Sequence, residues 1–235
     1  MKKTTLIIIL GVLTICCIIL GSIKHLGGTF KKSKVIEYSR DFDYEEKDSF
    51  SQKLEAFSAI KMSCSIAEIK IEEGDNFKIE SQYNKEILKP TFSVKDGKLE
   101  VFQKENRGNS FLGGNHNCKI LITLPAKVKL DDININSNIG DVRLREFTAE
   151  RIKVNLNIGE VSVRNLDFEN IEINNNIGEI SIDPTGSLED YDISINSDIG
   201  EVNVNGKRYR HNYTKKSASK KSIKANTNIG EIRIK

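Results

Sequence analysis

Apolar and polar residues alternate in short runs that recur along the second half of this 235-residue chain. Five blocks of twelve residues align without gaps, at 133–144, 152–163, 171–182, 193–204 and 223–234. Each block has an alternating apolar triplet, then Asn-x-Asn/Asp-Ile-Gly, then an acid and a second apolar triplet. A sixth, degenerate copy lies at 60–71, with Ser63 replacing the asparagine and Ala67 the glycine. Because side chains alternate between the two faces of a strand, each block predicts two strands.

The middle of each block interrupts the alternation and predicts a corner. Asparagine and glycine tolerate the left-handed backbone that a sharp bend requires. Successive glycines are 19, 19, 22 and 30 residues apart, and coils that cannot bury their apolar face alone must stack. The pattern predicts an all-β solenoid of strand–Asn/Gly corner–strand coils, with structural corners at Asn136, Gly140, Asn155, Gly159, Asn174, Gly178, Asn196, Gly200, Asn226 and Gly230.

Stacking at about 4.8 Å would align the equivalent residues of successive coils. We predict that the corner asparagines form one amide ladder, in which each side chain donates and accepts along the stack. A second ladder is predicted for Asn138, Asn157, Asn176, Asp198 and Asn228. The isoleucines that follow are predicted to fill the corner of the core: Ile139, Ile158, Ile177, Ile199 and Ile229. A ligand site made by the asparagines is the alternative, although a ligand site would not repeat identically in every coil.

The acid after each glycine would form a row of like charges, which is mildly destabilising. The row consists of Glu68, Asp141, Glu160, Glu179, Glu201 and Glu231. We expect relief from basic residues on adjacent strand positions, namely Arg143, Lys153 and Arg233, with bound cations as the alternative. The Gly-Gly-x-Gly-x-Asp pattern of calcium-binding β-rolls does not occur.

The region between the degenerate copy and the regular blocks has a different texture. Alternation predicts strands at Phe77–Ser81, Phe92–Val94, Leu99–Phe102 and Lys119–Leu124, with Asp96-Gly97 as a hairpin turn. We interpret this region as a β-meander that caps and continues the stack, interrupted by a Gly/Asn loop at 106–117.

A basic insertion, Asn205–Ser222, separates the fourth and fifth regular blocks. It contains no acid, two tyrosines and seven cations: Lys207, Arg208, Arg210, Lys215, Lys216, Lys220 and Lys221. The whole chain is nearly balanced, with 36 Lys+Arg against 33 Asp+Glu, so any polyanion contact would depend on this cluster. A solvated loop or hairpin extension is one interpretation, and contact with anionic lipid or a wall polyanion is the other.

Sequential stacking would make block 223–234 the outermost coil. Its open edge would then invite strand pairing. We expect that Arg233 and Lys235 shield this edge, that the basic insertion folds over it, or that a partner adds a strand there.

The N-terminus predicts a membrane segment. After a short tail at 1–5, residues 6–23 are uncharged and predominantly apolar, and as a helix they would span roughly 27 Å, close to the hydrocarbon thickness of a bilayer. A cleaved signal peptide is the rival, but the run is long and no A-x-A-like site follows it. We predict an uncleaved signal-anchor, a polar linker at 24–53 and a solenoid domain at 54–235.

Catalytic and metal-binding residues are not evident in the sequence. The three histidines, His25, His116 and His211, are far apart, and neither Cys64 nor Cys118 has a second thiol or a histidine at metal-ligand spacing. These two cysteines are interpreted as small buried hydrophobes, although one disulfide is compatible with the sequence. We therefore predict no catalytic site, no cofactor and no metal.

The repeated Ile-x-x-Asn-x-Asn/Asp-Ile-Gly-acid unit after an N-terminal membrane segment resembles the bacterial putative-adhesin family called Toastrack, over roughly Phe57–Lys235. The resemblance implies a right-handed β-solenoid, often tethered to the membrane in Gram-positive bacteria, and a link to envelope stress systems. It implies no catalytic residues.

These observations predict a non-catalytic, single-pass membrane protein whose solenoid lies outside the membrane and binds or scaffolds at the cell surface. The expected partners are the membrane itself and an anionic lipid, a wall polymer or an envelope protein, whereas nucleic acid is not expected. A passive structural or adhesive element without a specific ligand is the alternative.

Overall fold

The computed structural model describes residues 48–104 and 116–235, which are almost entirely β-strand. Two short 3-10 helices also occur, η1 (Glu86–Leu88) and η2 (Leu188–Asp190). In chain order the strands are β1 (Asp48–Lys53), β2 (Ala59–Ile66), β3 (Glu68–Gly74), β4 (Lys78–Tyr83), β5 (Thr91–Lys95), β6 (Lys98–Phe102), β7 (Cys118–Pro125), β8 (Lys129–Ile139), β9 (Val142–Arg145), β10 (Thr148–Ile158), β11 (Val161–Ile177), β12 (Ile180–Pro184), β13 (Tyr191–Ile199), β14 (Val202–Val204), β15 (Lys207–Tyr209), β16 (Asn212–Lys215), β17 (Lys221–Ile229) and β18 (Ile232–Ile234).

The strands form two ladders, and each repeat contributes one strand to each. The first ladder runs β5–β6–β2–β8–β10–β11–β17–β13–β16. The second runs β1–β4–β7–β3–β9–β11–β12–β18–β14–β15. The central pairings are parallel in both ladders, and antiparallel pairing is confined to the ends. The predicted all-β stack of coils is confirmed, whereas the handedness of the coils stays a prediction.

The core lies between the two ladders and is filled by the inward side chains of each block. In the third coil these are Ile171, Ile173, Ile180 and Ile182, none of them more than 1% exposed. Burying a side chain of this size contributes about 1.5–3 kcal/mol. A single coil cannot bury these residues against itself, so stacking supplies the apolar neighbours on either side.

The glycine corners fix how closely the coils approach. Each corner glycine has a positive φ, for example 140° at Gly159 and 134° at Gly178. A Cβ on Gly159 would overlap the carbonyl oxygen of Gly140 in the coil beneath, and the same clash recurs at every corner above it. Ala67 stands at the bottom of this column, and its carbonyl is the one that Gly140 approaches. Alanine is therefore tolerated only in the degenerate copy.

A second column of left-handed residues lies at the opposite corner. Lys127, Glu146 and Asn165 have φ values of 66°, 61° and 50° and are spaced at 19-residue intervals. At Asn165 the register between β11 and β12 shifts, and β11 bends from one ladder into the other. The sequence pattern did not predict this corner, because lysine and glutamate are not the usual residues for a left-handed backbone.

The coils do not stack in sequence order. The fifth regular coil, β17–β18, lies between the third and the fourth: β17 pairs with β11 on one side and β13 on the other, and β18 pairs with β12 and β14. The prediction that block 223–234 is the outermost coil is wrong. The connector that contains η2 joins β12 of the third coil to β13 of the fourth coil and so passes the inserted fifth coil.

Antiparallel strands cover both ends of the stack. At the outer end, β14 and β15 form a hairpin about Asn205-Gly206, and β16 pairs with β13. The basic insertion therefore covers the edge of the fourth coil, and not the edge of block 223–234, for which this cover was predicted. At the other end, β5 and β6 form the predicted hairpin about Asp96-Gly97, whose φ values are both positive. Aromatic pairs join the two ladders at each end, Phe50 with Phe92 and Tyr209 with Tyr213, at centroid distances of 5.4 and 4.7 Å.

The strands predicted before the regular blocks and the predicted segment boundaries can be compared with the structure. The four strands expected between the degenerate copy and the regular blocks are confirmed as β4 to β7, but β6 and β7 pair in parallel with β2 and β3 and so form a coil of their own. Strand β1 lies within the segment assigned to the polar linker and pairs with β4. The predicted membrane segment at 6–23 lies outside the described residues, among which no helix is long and apolar enough to cross a membrane.

We expect Gly159→Ala to destabilise the chain by about 3 kcal/mol or more, because the new Cβ would meet a backbone carbonyl that cannot move independently. The control is Gly97→Ala, where φ is also positive but no atom lies within 4 Å, so that only the backbone cost of about 1 kcal/mol applies. Urea unfolding monitored by circular dichroism measures both. Equal losses would contradict the steric account.

The order of the coils predicts which engineered disulfides form. Lys224 is the register partner of Glu172 on one side and of Ser194 on the other. Glu172→Cys with Lys224→Cys should therefore cross-link within one chain, since strand neighbours lie about 4.8 Å apart. Sequential stacking would separate this pair by two coil spacings and prevent the bond. Ser194→Cys with Lys224→Cys is the positive control, because this disulfide forms in either order of the coils. Mass spectrometry after oxidation distinguishes the intrachain disulfide from free thiols.

Candidate binding surface

The first asparagine ladder runs along the outside of the corner. Asn155 donates its side-chain amide to Asn136 Oδ1 at 2.9 Å, Asn174 to Asn155 at 3.1 Å, and Asn226 to Asn174 at 2.9 Å. The predicted ladder is confirmed, in the order that the inserted coil dictates. Asn196, in the outermost regular coil, turns instead to Asp198 at 2.8 Å.

The second ladder runs parallel to the first, two residues further along each coil. Asn157 donates to Asn138 at 2.9 Å, Asn176 to Asn157 at 2.6 Å, and Asn228 to Asn176 at 3.3 Å. An asparagine amide has two N–H groups and a carbonyl oxygen with two lone pairs. The ladder uses only one donor of each amide, so hydrogen-bonding capacity remains along this row.

A third row, missed in the sequence, lies inside the corner between the two asparagines. Three of its side chains donate to the glycine carbonyl of the coil beneath: Asn175 to Gly159 at 2.8 Å, Ser197 to Gly230 at 2.8 Å and Thr227 to Gly178 at 3.5 Å. The row consists of Cys64, Ser137, Leu156, Asn175, Ser197 and Thr227. All of these except Leu156 and Cys64 are small and polar, which is the signal that would have identified the row. These bonds satisfy carbonyl groups that the close approach of the coils buries.

The isoleucine before each glycine lies on the surface and does not fill the core. Ile158, Ile177, Ile229 and Ile199 are 42%, 45%, 47% and 65% exposed, and Ile139 is partly exposed. The prediction that these residues fill the corner of the core is therefore wrong. Because the backbone bends at the glycine, the isoleucine side chain does not point into the core as strict alternation would require. A row of exposed isoleucines therefore follows the second ladder in each coil.

A shallow groove of about 680 Å³ follows the ladders across four coils. Every described residue that lines it is uncharged: Ser63, Cys64, Ser65, Gln103, Asn136, Ser137, Asn138, Asn155, Leu156, Asn157, Asn174 and Asn176. Gln103 closes the lower end, where its buried side chain accepts from the amides of Ser65 and Ile66 at 2.9 and 2.8 Å and donates to Leu88 O at 2.6 Å.

Charged residues flank the groove without entering it. Lys153 pairs with Glu172 at 3.3 Å and so does not relieve the acidic row. Asn174 also donates to Glu172, and this hydrogen bond, together with Lys153, lowers the pKa of that carboxyl. Both donor hydrogens of Asn174 are thereby used.

The acidic row beyond the isoleucines is compensated by two of the three predicted cations. Arg143 binds both Glu68 and Asp141, the latter at 2.9 Å. Arg233 pairs with Glu231 and lies 3.7 Å from Glu179. Among residues 48–104 and 116–235, no cluster of metal-ligating side chains is present.

The basic insertion uses much of its charge within the fold. Four of its seven cations form ion pairs: Arg208 with Glu201 at 3.7 Å, Lys215 with Glu189 at 2.7 Å, Lys216 with Asp192 at 3.0 Å and Lys221 with Asp167 at 3.1 Å. The other three, Lys207, Arg210 and Lys220, are exposed and form no ion pair with a described carboxylate. Contact between the seven cations and a polyanion stays a prediction, and these three are the ones whose charge has no described carboxylate beside it.

Cys64 and Cys118 are free thiols, 7% and 2% exposed. Burial raises the pKa of Cys64 to about 12 and also raises the pKa of Cys118. The interpretation as small buried hydrophobes is confirmed, and neither thiol is chemically activated.

Comparison with known families matches residues 57–235 to the model described as Toastrack DUF4097, and the chain belongs to this family. Comparison with curated proteins finds no match. Among solved structures, a putative cell adhesion protein from Clostridium sporogenes is 18% identical, with a TM-score of 0.57, over 80% of this chain and 99% of that one. This likeness supports the fold.

Two further structures are more distant. A putative adhesin from Bacteroides fragilis is 12% identical with a TM-score of 0.36, over 81% of this chain and 97% of that one. A putative lipid binding protein from Parabacteroides distasonis is 11% identical with a TM-score of 0.29, over 80% and 96%. At these scores neither protein's name bears on the function of this chain.

Proposed function

We propose that this chain is a non-catalytic binding or scaffolding module of the bacterial cell envelope. In this proposal residues 6–23 hold it at the membrane as a single-pass anchor, and the solenoid lies on the outer side. The observation that carries the proposal is the continuous, uncharged groove, which crosses four coils of a stack that is covered at both ends.

Rigidity supports a binding role. A ligand that lies along the stack meets side chains already fixed by amide ladders and by two parallel strand neighbours, so little conformational entropy is lost on binding. Membership of the Toastrack family motivates the further proposal that the module takes part in a response to envelope stress.

The passive alternative is favoured by a different observation. Both asparagine ladders are continuous over four coils, and hydrogen bonds between like residues stabilise the stack without any ligand. In this alternative the solenoid is a spacer or an adhesive surface element. Neutralising a contact surface would then leave envelope association unchanged.

Thiol labelling of a Glu55→Cys variant tests the orientation. Glu55 is exposed between β1 and β2, and Cys16 and Cys17 are replaced by serine. A membrane-impermeant maleimide should label this variant in intact cells. The parent with the same serines is the control and should stay unlabelled until it is unfolded, because Cys64 and Cys118 are buried. Labelling of Glu55→Cys that appears only after lysis would overturn the extracytoplasmic location.

Vesicle binding tests the remaining cations of the insertion. Replacing Lys207, Arg210 and Lys220 by glutamine should weaken binding to phosphatidylglycerol vesicles roughly a hundredfold, because each cation near an anionic surface contributes about 1 kcal/mol. Raising the salt concentration should weaken parental binding as well.

The matched control for this test replaces Lys53, Lys95 and Lys98, three exposed lysines at the other end of the stack. Cosedimentation at low salt measures all three proteins. If the two triple variants lose affinity equally, the effect is one of net charge and the insertion is not a specific contact.

A further inference from the structure

The uncharged groove and the exposed isoleucine row together form one strip with two chemical characters. Asn138, Asn157 and Asn176 are exposed and keep at least one amide N–H each without a partner in the described structure. Each is followed directly by an isoleucine, and Ile158 and Ile177 are 42% and 45% exposed. Hydrogen-bonding and apolar groups thus alternate across the strip and repeat along it.

The strip repeats once per coil. Adjacent coils lie about 4.8 Å apart, so the four coils that line the groove span roughly 14 Å. A ligand that matches this surface must be extended and must repeat its own polar groups at a similar interval. A compact small molecule would contact one or two coils and leave the rest of the groove in water.

Within residues 48–104 and 116–235 the groove lining carries no charge, and this defines the chemistry of the ligand. An anionic polymer would lose part of its hydration without gaining a cation, and a cationic one would gain no carboxylate. Uncharged hydroxyl groups, in contrast, can both donate to amide oxygens and accept from amide N–H groups. The isoleucines would cover C–H surface on the same ligand.

From these features we infer that the groove binds a linear, uncharged glycan, whose hydroxyl groups face the second asparagine ladder and whose apolar ring faces cover the isoleucine row. This inference rests on the proposed binding function and names its ligand class. In the first ladder Asn174 has no amide hydrogen left for a ligand, whereas Asn136 and Asn155 keep one each and can add to the contact.

Titration of the full chain in detergent micelles tests the inference. The probes are hexamers of β-1,4-linked N-acetylglucosamine, β-1,4-linked glucose and α-1,4-linked glucose, with a polygalacturonate hexamer as the anionic comparison. At least one uncharged hexamer should bind saturably and more tightly than the anionic one. The N-acetylated and simple hexose probes distinguish an amino-sugar polymer from a hexose polymer.

Two variants with matched controls locate the site. Asn157→Ala and Ile158→Ser should each weaken binding about fivefold or more. Asn212→Ala replaces an exposed asparagine of β16, and Ile87→Ser replaces an isoleucine that is 42% exposed, as Ile158 is; neither residue lines the groove or belongs to the ladder or the isoleucine row. Neither control should change the affinity, and thermal unfolding verifies that all four variants are folded.

The inference is overturned if no uncharged hexamer binds at millimolar concentration, if the anionic hexamer binds more tightly, or if the controls lose as much affinity as the groove variants. These outcomes leave the location of the domain unaffected, because thiol labelling at Glu55→Cys reports it independently. A cytoplasmic location would instead overturn the proposed envelope function while leaving the measured glycan binding intact.

Discussion

The structure depends on one steric constraint, the contact between a corner glycine and the carbonyl of the glycine in the coil beneath. A Cβ at Gly159 or Gly178 would occupy the position of that oxygen. Because the backbones meet here, the spacing of the coils is set by the main chain and varies little with the side chains around it. At Gly159, Gly178 and Gly230 the carbonyl is satisfied by a polar side chain of the coil above, namely Asn175, Thr227 and Ser197. Steric fit and hydrogen bonding therefore select the same arrangement.

Because the spacing of the coils is fixed, equivalent residues of different coils form rows. Whether a row stabilises or destabilises the stack depends on its residue type. Amides gain from the alignment, because each can donate to one neighbour and accept from the other. Carboxylates lose from it, and Arg143 and Arg233 reduce the cost by bridging successive acids. The isoleucine row gains little burial, and its persistence in every coil has no explanation in the packing of the core.

Much of the fold could be predicted from the sequence, because the repeat encodes a strand, a corner and a strand in each block. The order of the coils could not, because every coil presents the same register of asparagine, isoleucine and glycine to its neighbours. The third coil can pair equally well with the fourth or the fifth. Turn chemistry held the missing information: Asn205-Gly206 is a strong hairpin signal, and the hairpin it forms covers the outer edge where a further coil would have stacked. The exposed isoleucines were misassigned because strict alternation was extended through the bend.

The candidate site could be predicted only in part, for a physical reason. Asparagines that form ladders and asparagines that bind a ligand look alike in a sequence, and their donors must be counted in three dimensions before the two roles separate. Asn174 in the first ladder has used both amide hydrogens, whereas Asn155 in that ladder and Asn157 and Asn176 in the second retain one each. Structural and binding roles are therefore not alternatives for this corner. The bonds that stabilise the stack also hold the remaining donors in line, and a row of individually weak contacts gains affinity when a single extended ligand engages them together.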